Sequence, residues 1–157
     1  PSYMNLLLGV VILLHPIAAL ILIWAFMKQR KWRQKKLFLQ DQNYQKSLER
    51  HKSNGNKLML GTIFVVFLAF IAEIIRAKFD NVPIYSYMIP NNFHASGGLL
   101  GVILMFILWK SGHSTNKKIG EDSFSRTKNL HGRIGDIMSI LVIIHAFLGF
   151  LYLLQII

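Results

Sequence analysis

Asn129-Leu-His131-Gly-Arg-Ile-Gly135-Asp-Ile-Met138-Ser-Ile-Leu-Val142-Ile-Ile-His145-Ala-Phe-Leu-Gly149-Phe is apolar enough to cross a bilayer, yet it carries two histidines. They stand 14 residues apart, which is about 21 Å along a helix axis. At about 100° per residue, that spacing returns to within about 40° of the starting direction. Both imidazoles therefore face the same way, each near one side of a bilayer core about 30 Å thick. Gly135 and Gly149 each follow a histidine by four residues, one turn on along its own face. A flat cofactor needs a nitrogen ligand with a missing side chain beside it, so both glycines are candidate cofactor contacts.

Working outward, composition supports a membrane reading. Hydrophobic residues make up 53 % of the 157 residues, against about 45–50 % in soluble domains even with glycine counted. The absence of cysteine excludes disulfides, thiolate metal sites, iron–sulfur clusters and a cysteine nucleophile. The net charge of +11 is segregated into loops between apolar blocks, which argues against nucleic acid as a partner. No phosphate loop, paired carboxylates, serine elbow, EF-hand or HExxH pattern is present. The chain carries no hydrolase or transferase signature, and a membrane electron-transfer protein is the enzymatic class left open.

Four apolar blocks, at about 6–27, 58–77, 93–110 and 131–154, each approach the length of a transmembrane helix. The expected fold is a single all-α domain over 1–157, with four transmembrane helices as antiparallel neighbours and a basic helical hairpin. The loop 28–57 holds ten Lys and Arg against Asp41 and Glu49. The third loop and the foot of the last helix add Lys110, Lys117, Lys118, Arg126, Lys128 and Arg133, whereas the second loop side has only Arg76 and Lys78. The positive-inside rule then places 28–57 and 110–130 on the cytoplasmic or stromal side and both termini opposite. Lys28 to Lys52 is rich in helix formers, so the first helix is expected to continue as a basic stalk until Asn54-Gly55-Asn56 breaks it. Lipid bilayer is the expected partner of the blocks; the stalk is expected to be a solvated face that meets lipid headgroups or, as the alternative, to dock on a partner's acidic surface.

Of six histidines, His15, His94, His131 and His145 lie in or at the ends of spans. An ionisable residue inside a membrane is a functional-site hypothesis by default. Facing neutral imidazoles are what a six-coordinate haem iron needs, and one imidazole can hold the magnesium of a chlorophyll. By depth, His15, His94 and His145 belong to the outer half and His131 to the inner edge, with His51 and His113 as solvated candidate partners. Gly98 lies one turn after His94 and joins Gly135 and Gly149 as a candidate cofactor contact. Pro16 kinks or starts the first helix. Glu73 and Arg76 are expected to pair, with Arg76 also able to meet a haem propionate. Asp136 and Arg133 are expected to pair with each other or to snorkel.

His15-Pro16, Glu49-Arg50-His51, Asn92-Phe93-His94-Ala-Ser-Gly97 and Asn129-Leu130-His131-Gly132 together resemble the core of the cytochrome b561-like and ferric-reductase-like haem proteins. The short form is also similar to a family of uncharacterised four-helix membrane proteins of cyanobacteria and plastids. The resemblance implies haem b, with His15 and His94 holding an outer haem and His51 and His131 an inner one. His51 sits in a polar, glycine-near stretch, and His145 is extra to that pattern. Depth and partner counting favour one cofactor site over two, in the outer half. Two functions follow. One is a b-type haem protein carrying electrons within or across a thylakoid or bacterial inner membrane. The other is a structural or assembly subunit of a photosynthetic or other energy-converting complex, binding chlorophyll or no cofactor and contacting other membrane subunits.

Overall fold

The computed structural model describes residues 2–32 and 41–156. They form α1 (Ser2–Arg30), α2 (Asp41–Phe79), α3 (Tyr85–Met88), α4 (Phe93–Lys117) and α5 (Phe124–Ile156). Four of these, all but α3, are long and apolar enough to cross a membrane. Each carries one of the apolar blocks and extends beyond it, because helix formers outside the block prolong the hydrogen-bond ladder after hydrophobicity ends. Asn92 caps α4, its side chain accepting from the Ala95 amide at 2.8 Å. Gly120, at φ +91°, turns the chain between α4 and α5, and Asn81, at φ 53°, turns it after α2. Both residue types tolerate the left-handed region.

α1 packs on α2, α2 on α4, α4 on α5, and α5 back on α1, which closes a ring of four helices. The most extensive of these contacts are α4 with α5 and α1 with α2. Phe26, Leu58, Met105, Leu108 and Met138 meet at the centre, and every one of the four helices supplies at least one of them. Met138 lies seven residues from His131 and seven from His145, so this apolar layer separates two levels of histidine. Outward faces carry large exposed hydrophobics such as Leu20, Ile21, Phe67, Phe147 and Ile140. A surface this apolar is stable against lipid rather than water.

The structure corrects several expectations. The helix does not break at Asn54-Gly55-Asn56: α2 runs through it without interruption. Glycine costs about 1 kcal/mol in a helix, but the flanking side chains recover it in contacts between helices. Trp109 Nε1 donates to Asn56 Oδ1 at 2.9 Å, and Asn54 donates to Gln29 at 3.4 Å. The first helix does not continue to Lys52; α1 ends at Arg30 and a separate helix starts at Asp41. The part of the expected stalk at 33–40 lies outside the described residues. Asp136 pairs not with Arg133 but with Arg30 of α1, at 2.8 Å, because Arg30 faces it across the α1–α5 contact. Glu73 and Arg76 do pair, at 3.3 Å. Pro16 neither starts nor ends α1 but lies inside it, leaving the Ile12 carbonyl without its helical donor.

Candidate functional site

The histidines gather at two levels. At the first, His15 of α1 and His94 of α4 face each other along a diagonal of the ring. Their ring centres are 6.2 Å apart and their planes 73° apart. His15 Nδ1 donates to the Val65 carbonyl of α2 at 3.1 Å, and His94 Nδ1 donates to the His145 carbonyl of α5 at 3.2 Å. A carbonyl only accepts, so both rings carry their proton on Nδ1. In the neutral imidazole that leaves each Nε2 with a lone pair. A main-chain carbonyl on the far nitrogen is the usual support of a metal-ligating histidine, because it fixes tautomer and orientation together.

His94 reaches that carbonyl because residue 149 is glycine. A Cβ there would stand 2.7 Å from His94 Cε1. The arrangement is reciprocal, since a Cβ on Gly98 would stand 3.1 Å from His145 Cε1. Each ring thus fills the space above the other helix's glycine. The space that Gly98 and Gly149 leave is occupied by imidazole. His145 lies flat on His94, with ring centres 4.2 Å apart at 14°. The stacking on His94 follows from the adjacency of α4 and α5. Ring nitrogens have their lone pairs in the ring plane, so those of two stacked rings do not converge on one ion. His145 Nδ1 is buried with no hydrogen-bond partner among the described residues.

Tyr152 stacks on His94 at 6.1 Å and accepts a 2.8 Å hydrogen bond from Arg76. Arg76 also meets Glu73, lies 3.9 Å from Asp80 and stands 4.3 Å over the Tyr87 ring. The residue that could hold a propionate is therefore tied to four side chains of its own chain. The Tyr87 hydroxyl donates to Asp80 at 2.8 Å, and that bond raises its pKa above the ordinary phenol value.

At the second level His51 of α2 and His131 of α5 span the other diagonal, with ring centres 6.3 Å apart at 89°. The Ser111 hydroxyl donates to the Leu108 carbonyl at 2.8 Å, so its 2.9 Å contact with His131 Nδ1 is one it accepts. His131 thus has the same tautomer as His15 and His94. Its ring lies over Gly112, where a Cβ would stand 3.2 Å from Cε1. His51 is held differently: the Gln29 amide donates to its Nδ1 at 2.8 Å and its carbonyl at 2.7 Å, and Trp32 stacks on it at 4.4 Å. His51 is therefore half-buried between helices rather than solvated, because Trp32 covers it. His113 is exposed, held to Trp109 of its own helix, and joins neither pair. A cavity of about 310 Å³ opens at this level, lined by His51, His131, Trp109, Gly112, Gly132 and Gly135.

Two imidazoles on opposite sides of one metal ion, each bonded at about 2.0–2.1 Å, have ring centres about 6.3 Å apart, given roughly 1.1 Å from nitrogen to ring centre. Both diagonal pairs have that separation. Among the described residues no three His, Cys, Asp or Glu side chains converge where they could hold an ion. The candidate ligands therefore come in twos, one from each of two opposed helices. Comparison of the chain with models of protein families, with curated proteins and with solved structures finds no match.

The sequence did not reveal the supporting residues. Tyr152 was within reach, since it lies seven residues, two turns, beyond His145 on the same face. Ser111 and Gly112 form a small pair opposite His131, visible only once the α4–α5 register is known. Gln29 and Trp32 carried no signal, because their partner His51 belongs to another helix.

Proposed function

We propose that this chain is a membrane b-type haem protein that carries electrons within or across the bilayer, with His15/His94 and His51/His131 as two pairs of axial ligands. One observation carries the reading: two imidazole pairs on crossed diagonals, each at the ring separation of a shared metal ion. Pairing in twos favours a macrocycle over a bare ion, because zinc sites in proteins take three or four protein ligands. The first-level residues fit such a group, since main-chain carbonyls hold both Nδ1 protons. At the second level a cavity reaches both rings, but His51 Nδ1 accepts from Gln29, which places the His51 proton on Nε2; ligation there requires His51 to take the other tautomer and Gln29 to turn away. When bound, haem supplies an iron that changes oxidation state between the two imidazoles.

The protein's own part is positional. Val65, His145 and Ser111 fix the tautomers, and the glycines let rings approach a neighbouring helix. Tyr152, stacked on His94 and accepting from Arg76, links that ring to a charged group. The reading takes neighbouring helices as antiparallel, with the basic stretches 28–57 and 110–130 on the cytoplasmic or stromal side and the termini opposite. A reduced-minus-oxidised absorption spectrum of the purified full chain tests it. Sharp haem bands at two haems per chain are expected, with one haem lost in His94→Ala and the other in His131→Ala. A colourless or chlorophyll-coloured protein would overturn the reading in favour of a structural subunit.

A further inference from the structure

We propose that the groove between α1 and α2 is a binding site for one anionic phospholipid. The groove encloses about 700 Å³ and runs from Ala18 to Gln29 along α1 and from Ser47 to Val65 along α2. Its deeper part is apolar, with Ile21, Leu22, Gly61 and Phe64. Ile21 and Phe64 are more than half exposed. Gly61 sets the floor: a Cβ there would stand 2.7 Å from Leu22 Cδ1, so the two helices touch at that point.

Its mouth is cationic. Lys28, Arg50 and Lys57 all line it, and all three are exposed. Arg50 and Lys57 make no ion pair among the described residues, and Lys28 lies 4.9 Å over the Trp24 ring. No carboxylate appears among the residues described as lining the groove. Three cations at one end of an apolar channel, on a helix pair that crosses a membrane, match one molecule chemically. That molecule has an anionic phosphate head and a hydrocarbon tail lying parallel to the helices. Asn54, which gives one amide hydrogen to Gln29, has a second at the same end, suited to phosphate and glycerol oxygens. A solvated basic stalk would need no apolar channel beneath its charges. The cations and the apolar floor that define the site include no proposed haem ligand, although His51 also lines the groove.

The test extracts the full chain from bilayers of equal phosphatidylglycerol and phosphatidylcholine and counts retained lipid by native mass spectrometry. One phosphatidylglycerol per chain is expected. In the triple variant Lys28→Gln, Arg50→Gln, Lys57→Gln the preference should fall about fivefold per cation, on the order of 100-fold in all. The control triple Lys117→Gln, Lys118→Gln, Arg126→Gln removes the same charge elsewhere and should retain the lipid. All six positions are exposed or half-buried, and circular dichroism checks that each variant folds. An equal loss in the control would reduce the effect to bulk charge. Equal retention of phosphatidylcholine would remove the anionic preference, and displacement by millimolar inorganic phosphate would mean that the tail contributes nothing. Each of these outcomes overturns the proposal.

Discussion

The two histidine levels have the same ring separation and opposite surroundings. At the first, main-chain carbonyls hold both Nδ1 protons, and the glycine notches of α4 and α5 are filled by imidazoles. At the second, side chains hold the rings: Ser111 supports His131, Gln29 and Trp32 support His51, and a cavity lies alongside. A carbonyl in a helix cannot be removed by mutation and moves only with its helix. A serine or glutamine can be removed one atom at a time. The first level is therefore specified by backbone placement and small residues, the second by replaceable polar groups. Substitutions should fail differently at the two.

The largest effect is expected from Gly149→Val. Even a methyl group would collide with His94, and overpacking of this kind costs about 1–3 kcal/mol, occasionally more. Thermal unfolding should show that loss. Haem counting should show the first level emptied with the second intact; loss of both together would mean that the levels are not independent. Ser111→Ala comes next. It leaves His131 Nδ1–H without its acceptor, and removing such a support lowers metal affinity about 10–100-fold. Haem titration of the depleted protein should register this at the second level alone. Tyr152→Phe keeps the ring beside His94 and removes the hydroxyl that accepts from Arg76, for about 1.5 kcal/mol in chemical denaturation. The smallest effect belongs to Asp136→Asn. Arg30 and Asp136 are both more than one-third exposed, so their separation should cost no more than about 0.2–1 kcal/mol. A larger loss on denaturation would show that this pair also supports the second level, whose cavity both residues line.

The four spans were legible because apolar blocks of that length have no other stable use. Their ends were not. Asn54-Gly55-Asn56 reads as a breaker by local preference, and only the Asn56 contact with Trp109, 53 residues away, explains why the helix continues. His15, His94, His131 and His145 were visible as costly residues in apolar surroundings. His51 was hidden by polar neighbours whose partners, Gln29 and Trp32, lie on the far side of a connection. The spacing of His131 and His145, prominent in the sequence, joins two rings with different roles. His131 faces His51 across a diagonal, whereas His145 lies against His94 and lends it a carbonyl. Helical periodicity reports which way a ring points. It does not report what stands opposite.

The layer of Phe26, Leu58, Met105, Leu108 and Met138 has a consequence for permeability. A bundle with polar rings at two depths invites water from both faces, and a continuous file of water would let protons and small ions leak through. Five side chains drawn from four helices close that file at mid-depth with groups that offer water no hydrogen bond. Two of them are methionines, whose flexible chains fill irregular gaps. The same residues that hold the helices together thus form an apolar plug between the two histidine levels.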